Sequence, residues 1–478
     1  MLFFSSLRRL KPQITPYASH EFRRSMQVVG FALLTRILFT IYAMLLRLFM
    51  PLPYDTSSIL AYPLEGDDYQ SESTLIRPAS LNYTGLKFLY YRTLRGMANW
   101  DAIFFTQIAQ NGYQWENFFA FLPGYPVTIR LLSKFMIRLL GIGNTESILL
   151  SGYLASNISF VFASWILYRL SCIVLGDERW AFKSALLFCL SPATPFFLGI
   201  YSESLFAATA FTGMFFCARN RHASSEKHLF NTFMASVFFA LACTVRSNAI
   251  TLVGFILYEQ LRYSYDRYLY QKEARTKLSR IVLEWIYAGF ACFLSILPFV
   301  CYLSYGYMTY CSNPDSKRPW CQRTIPNIYS FVQDHYWNVG LFRYYTLKQV
   351  PNFLIALPVI ILCIMGIVSY AICNLKQFSL GLCPDKPTKN TGAIPPFKRN
   401  SVFVYVAQVM FLLLVSVPFI YIQVLNRFIF SQCPFVYWYM VHLFSANSGH
   451  LWPSLVAFYL IFYNLVGISL FTQFLPWT

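Results

Sequence analysis

Charge is what this chain has least of. Only 12% of its 478 residues are Asp, Glu, Lys or Arg, and six are histidine. A soluble domain usually carries about twice that charged fraction, so a soluble globular protein of this length is excluded. There is no glycine-rich phosphate loop, which removes the usual cradle for a nucleotide. No Asp-x-Asp pair offers a metal site, because Asp67 and Asp68 are adjacent and read as solvated loop. The 12 cysteines include no Cys-x-x-Cys pair and have no His-x-x-His beside them, so zinc is not expected. Residues 1–25 lack an apolar core ending in small residues, so no cleavable signal peptide is expected. No inverted repeat with paired broken helices points to a transporter or lipid scramblase.

What the chain does have is apolar length. Hydrophobic residues make up 56% and aromatics 19%. Several runs of about 18 or more nearly uncharged residues are long enough to cross a bilayer. The composition predicts one polytopic, all-α membrane domain over 1–478, a bundle of about 9–11 transmembrane or re-entrant helices. The net charge of +18 does not predict nucleic acid. Residues 8–24, 219–227, 262–280 and 376–399 hold 19 of the 38 Lys and Arg, and each cluster flanks apolar runs. That is the positive-inside pattern of cytosolic loops.

These anchors predict a topology. Residues 1–27 are cytosolic, and the run 28–48 is a retained signal anchor. Residues 51–118 form the first lumenal loop, and 308–345 a later one between spans at about 285–307 and 351–373. Residues 376–400 are a cytosolic connector. The run 403–424 returns to the lumen, and 451–471 goes back to the cytosol. Between residues 219 and 262 the chain crosses an even number of times, as two short helices with a turn near Arg246. The segment 118–140 breaks the parity, since it is apolar but carries Arg130, Lys134 and Arg138. It, or one of its successors, must be re-entrant, surface-lying or split. The interruption by Pro123 and Pro126 makes it the prime suspect.

Most cysteines sit in apolar runs and read as small buried hydrophobes. Cys311 and Cys321 flank a polar stretch in a predicted lumenal loop and are a disulfide candidate. Asn82-Tyr83-Thr84 is a glycosylation sequon. Tyr201-Ser202-Glu203-Ser204, Arg246, Asn426-Arg427, His442 and His450 interrupt apolar surroundings. Ionisable groups at such depth face a cavity or pair with one another. A structural pair, for example Glu203 with Arg246 or Arg427, is the plain alternative.

The most informative stretch is Asn99-Trp100-Asp101-Ala102, a carboxylate beside a tryptophan on the first long polar loop. Asp101 either serves as a base at a bilayer surface, or caps a helix or pairs with Arg95. It is followed by Asn111-Gly112-Tyr113 with Glu116, Phe121-Leu122-Pro123-Gly124-Tyr125-Pro126, and Ser191-Pro192-Ala193 through Tyr201-Ser202-Glu203. Then come Arg246-Ser247-Asn248, Pro319-Trp320-Cys321, Tyr336-Trp337-Asn338-Val339-Gly340, Gln349-Val350-Pro351-Asn352 and Asn426-Arg427-Phe428. This ordered set, covering most of the chain, resembles the PIG-V type of GPI mannosyltransferases. Two positions depart from the family pattern. Asn99 stands where a basic residue is expected, and Ala249 follows Asn248 where glycine is expected.

The resemblance implies a GT-C-type glycosyltransferase of the endoplasmic reticulum membrane with a lumenal active site. The donor would be dolichyl phosphate mannose. The acceptor would be a glucosaminyl-phosphatidylinositol precursor already bearing one mannose, extended through an α-1,6 bond. An accessory subunit is allowed for, and no cofactor is implied. A different acceptor for the same architecture is the alternative reading, a lipid transporter the more distant one.

The residue chemistry fits such a transfer. A β-linked donor and an α-linked product need one inversion, hence one base and no carboxylate nucleophile. Asp101 is the candidate base. Arg246 and Arg427, then Arg95, are candidates to hold the donor phosphate as it departs. Glu116 is expected to position the acceptor or orient Asp101, and Glu203 to bind a mannose hydroxyl or fix an arginine. Trp100, Tyr201 and Asn248 complete the expected substrate contacts.

Overall fold

A computed structural model describes residues 16–50, 93–222, 224–270, 278–312, 318–374, 381–382, 395–445 and 451–477. Asn82, His450 and most of the first predicted lumenal loop lie outside them. The described residues are helical, with no strand among them. Seven helices are long and apolar enough to cross a membrane. They correspond to α1 (Pro16–Phe49), α4 (Asn144–Leu175), α8 (Ser225–Val245), α10 (Leu278–Cys311), α12 (Val350–Asn374), α13 (Phe403–Phe419) and α16 (Leu451–Thr472), the spans at α12 and α13 starting at Leu347 and Asn400. Each expected long span is present, and the one expected over 403–424 ends early, at Phe419. Pro298 and Pro358 sit inside α10 and α12, which membrane helices tolerate because neighbours re-satisfy the freed carbonyls.

Shorter helices complete the bundle. They are α2 (Asp101–Asn111), α3 (Gly124–Leu140), α5 (Glu178–Cys189), α6 (Thr194–Leu198), α7 (Glu203–Arg219), α9 (Val253–Ser264), α11 (Ile328–His335), α14 (Leu425–Phe430) and α15 (Pro434–Ser445). Several run the full distance between the two ends. Helices α7 and α8 are antiparallel: Glu203 meets Arg246 at one end, and Asn220 meets Thr232 at the other. Helix α9 returns alongside α8, where Gln260 meets His228.

The two ends differ in charge. One gathers Arg24 with Glu178, Arg169 with Glu21, Arg221 on the Ser401 carbonyl and Arg399 on the Leu175 carbonyl. Asp177 caps α5 there, accepting from the backbone N–H groups of Arg179 and Trp180. The other end carries Asp101.

The parity problem is resolved by α3. Its first turn meets Gly152 and Ser156 of α4, where the Tyr125 hydroxyl bonds both. Ser133 then meets Ser147 near the start of α4. Helix α3 and the first half of α4 therefore form an antiparallel hairpin confined to the Asp101 end, and α3 adds no crossing. Gly152 also lets Ile200 pack close on the same stretch of α4, since a Cβ there would lie 2.5 Å from Ile200 Cγ2. Arg130 donates to the Ala109 and Gln110 carbonyls, closing the C-terminal end of α2.

The direction of α16 corrects the expected topology. It ends beside Asp101 instead of returning to the basic end. Arg47, at the end of α1, donates to the Thr472 carbonyl, and Gln473 donates to the Leu46 carbonyl, so α1 and α16 run parallel. The extra crossing is α15, whose Trp438 indole donates to Ser171 Oγ and whose His442 stacks against Trp180. Helix α15 is short, and most of it is buried in protein, so no long lipid-facing run marks it in the sequence.

A glycosylation reporter inserted after residue 474 is expected to share a compartment with one inserted at residue 95. One inserted at residue 395 is expected in the opposite compartment. Modification at 395 together with 95 overturns this arrangement.

Candidate active site

Asp101 is the first residue of α2, and the turn before it is clamped from two sides. The Tyr201 hydroxyl donates to the Asn99 carbonyl (3.1 Å) and accepts from the Asp101 backbone N–H (3.1 Å). Asn99 is buried, and its amide donates to the Phe471 carbonyl at the end of α16 (2.8 Å). Trp100 has φ 58°, and its ring stacks on Phe474, itself at φ 59°, with centroids 4.7 Å apart and 12° between planes. Positive φ is strained for bulky residues and persists only where surroundings enforce it. Here the two strained residues brace each other.

The Asp101 carboxylate enters a chain of charges. Arg427 Nη1 donates to Asp101 Oδ2 (2.7 Å) and lies 3.5 Å from Glu203 Oε1. Arg246 Nη1 donates to the same Glu203 oxygen (2.5 Å) and to Ser202 Oγ (3.3 Å). Each member comes from a helix end or a short helix: Asp101 and Glu203 open α2 and α7, Arg246 follows α8, and Arg427 lies in α14. Negative charge at a helix start and positive charge at a helix end suit the backbone dipole. Glu203 is 0% exposed. Arg427 also lies over the Phe196 ring, 5.0 Å from its centroid. Glu203 Oε2, Arg427 Nε and Asn248 Nδ2 are buried with no hydrogen-bond partner among the described residues.

These groups line a cavity of about 920 Å³. Trp100, Asp101, Tyr201, Glu203, Arg246, Asn248 and Arg427 all reach it. Phe411, Val415 and Phe419, spaced by four along α13, form an apolar wall. The segment over residues 329–343 supplies another wall, with Tyr329, Gln333, Asp334, Trp337 and Arg343. Pro476 and Trp477, after α16, complete the lining.

Two expected residues fall outside. Arg95 does not line the cavity, and Asp101 bonds Arg427, not Arg95. Glu116 is not beside Asp101. Its carboxylate accepts from Arg318 Nη1 (2.7 Å), Trp320 Nε1 (2.7 Å) and the Tyr336 hydroxyl (2.9 Å). It borders a separate pocket of about 490 Å³ with Trp115, Asn117 and Gln107. Cys311 and Cys321 are disulfide-bonded, Cα atoms 5.5 Å apart, closing the loop that presents Arg318 and Trp320 to Glu116.

Sequence reasoning missed Asp334, Trp337 and Arg343 as site residues, along with Phe474 and Trp477. Trp337 lay within a motif already singled out, and its place in a polar aromatic loop was the available signal. Nothing marked Phe474.

Comparison with known proteins gives a consistent result. The profile of the family described as Mannosyltransferase (PIG-V) matches residues 25–478. The GPI alpha-1,6-mannosyltransferase 2 of Cricetulus griseus is 35% identical over 384 residues, covering 73% of each chain. That of Homo sapiens is 32% identical over 457 residues, 80% of this chain and 88% of its own. The GPI mannosyltransferase 2 of Drosophila melanogaster is 31% identical over 419 residues, 81% of this chain and 88% of its own. Among solved structures, the apo Archaeoglobus fulgidus oligosaccharyltransferase aligns with a TM-score of 0.43 at 11% identity, over 74% of this chain and 48% of that one.

Glu203→Gln removes the buried carboxylate that Arg246 and Arg427 share and is expected to destabilise the fold by about 3–5 kcal/mol. Phe474→Ala removes one stacked ring and should cost about 1 kcal/mol in lost stacking, before any cavity effect. Thermal midpoints of the purified variants test the order. An unchanged midpoint for Glu203→Gln shows that the chain of charges does not hold the helices together.

Proposed function

Because the chain belongs to the PIG-V family of mannosyltransferases, we propose that it transfers the second mannose of the GPI anchor. The donor is dolichyl phosphate mannose, the acceptor a one-mannose glucosaminyl-phosphatidylinositol, and the new bond α-1,6. The observation that carries this reading is Asp101 on a cavity wall, bonded through Oδ2 to an arginine that is shared with a second carboxylate.

Asp101 Oδ1 accepts no hydrogen bond from the described residues and is the atom that takes the acceptor proton. The acceptor oxygen attacks the anomeric carbon as the bond from that carbon to phosphate oxygen breaks. One displacement inverts the β-linked donor to an α-linked product, so no second carboxylate acts as nucleophile. The departing dolichyl phosphate gains a negative charge while Asp101 becomes neutral. Arg427 then loses the nearer of its two anionic partners at the moment the phosphate needs a cation. Base and leaving group are coupled through one guanidinium, and Arg246 supplies a second cation. Preorganised cations at developing charge are the largest single source of such catalysis.

The apolar wall of α13 supports a polyprenyl donor. Phe411, Val415 and Phe419 remain exposed in the cavity, next to outward-facing Met410 and Leu414. A lipid tail laid along this stripe would bring its phosphate toward Arg427. The basic end of the bundle supports a cytosolic placement under the positive-inside rule. With that orientation Asp101 faces the lumen of the endoplasmic reticulum.

Cells lacking the second GPI mannosyltransferase, complemented with this chain, are expected to clear the one-mannose precursor. Asp101→Asn should leave it in place at equal expression. Substantial clearance by that variant removes Asp101 as the base, and no clearance by the wild type overturns the reading. Arg427→Ala is expected to lower kcat by about 100-fold or more, the scale of losing one group that stabilises the transition state. A loss confined to acceptor KM would place the phosphate elsewhere.

A further inference from the structure

Two cavity charges have no part in the chain from Asp101 to Arg246. Asp334, near the end of α11, is ion-paired with Arg343, and their side chains are 44% and 46% exposed. Both line the same cavity as Asp101. An exposed pair of this kind contributes little to stability, so a ligand that satisfies both charges displaces it readily. The other cavity carboxylates are already engaged: Asp101 is held by Arg427, and Glu203 by Arg246 and Arg427.

The segment carrying Arg343 is rigidly built. Asn338 and Phe342 have φ of 48° and 52°. Non-glycine residues hold such backbone only where other contacts enforce it, and they cluster at ligand sites. The enforcing contacts are present. The Phe342 backbone N–H donates to the Pro418 carbonyl (2.7 Å), the Tyr345 hydroxyl to the Val417 carbonyl (3.0 Å), and the Tyr421 hydroxyl to the Trp337 carbonyl. Gly340 leaves room for the guanidinium, since a Cβ there would lie 2.7 Å from Arg343 Nε. Trp337 also lines the cavity, and its indole N–H is buried with no acceptor among the described residues.

We propose that Asp334 and Arg343 form the acceptor subsite and read a zwitterionic headgroup. Asp334 takes the ammonium of the glucosamine, Arg343 takes the phosphodiester of the inositol lipid, and Trp337 donates to a sugar hydroxyl between them. This deepens the acceptor reading above and rests on it. The exchange conserves charge, replacing one loose ion pair by two charge-assisted contacts of the same signs. A neutral glycan offers hydroxyls but no opposite charge to either residue. The subsite therefore distinguishes an acceptor with a free amine from a neutral analogue of the same shape.

The test uses the full-length protein in lipid nanodiscs with dolichyl phosphate mannose and two synthetic acceptors. One is mannosyl-glucosaminyl-phosphatidylinositol. The other carries glucose in place of glucosamine, a hydroxyl for an ammonium at nearly the same size. The wild type is expected to show a KM about tenfold lower for the amine, the scale of one charge-assisted hydrogen bond. Asp334→Asn should abolish that preference by raising KM for the amine acceptor alone, and Asp334→Glu should restore part of it. Arg343→Ala should raise KM for both acceptors alike. A wild type without preference, or an Asp334→Asn variant that keeps it, overturns the subsite. If the wild type transfers mannose to neither acceptor, the proposed function itself fails, an outcome separable from the others.

Discussion

Everything in this bundle is arranged around one guanidinium. Arg427 sits between Asp101 and Glu203, 2.7 Å from the first and 3.5 Å from the second, and Glu203 in turn holds Arg246. Four segments that share no local sequence meet through these contacts. Taking charges out of water is costly, and the cost is offset only when geometry and partners are good. A fully buried carboxylate with one oxygen still unpaired is not an economical way to hold helices together. It is better understood as part of the polar floor of the cavity that it lines.

The second constraint is mechanical. Asp101 must be aimed, and its aim is set by contacts outside its own helix. Tyr201 holds the backbone on one side, while Asn99 and Trp100 rest on the end of α16 and on Phe474. Two residues with strained backbone lie face to face at this point. The segment following α16 is therefore part of the site, since it sets the turn from which the carboxylate projects.

How much of this was legible depended on length and on distance along the chain. Helices α1, α10, α12, α13 and α16 announce themselves as long apolar runs, because lipid demands them. Helix α15 does not. Its neighbours are largely protein, so it can be short and aromatic, and missing it reversed the direction of α16. Asp101, Glu203, Arg246 and Arg427 stand out because charge is scarce and expensive in such surroundings. The pairing of Glu203 with Arg246 and Arg427 was open to expectation from the same scarcity, whereas that of Asp101 with Arg427, 326 residues apart, was not. Glu116 looked equivalent to Asp101 in the sequence, yet three donors from residues 318–336 occupy it. Asp334 and Arg343 passed unnoticed because charges in a polar loop are ordinary.

The spacing of the charged residues also imposes an order of assembly. Glu203 and Arg246 are 43 residues apart and lie at the open end of one helical hairpin, so they can neutralise each other soon after both are synthesised. Asp101 has no such local partner and waits for a residue made 326 positions later. Asn99 waits longer still, for the carbonyl of Phe471, 372 positions on. A nascent chain thus holds a self-sufficient half and an unfinished one until α16 is inserted. The turn that carries Asp101 is tied down only then, by a helix hundreds of residues away along the chain.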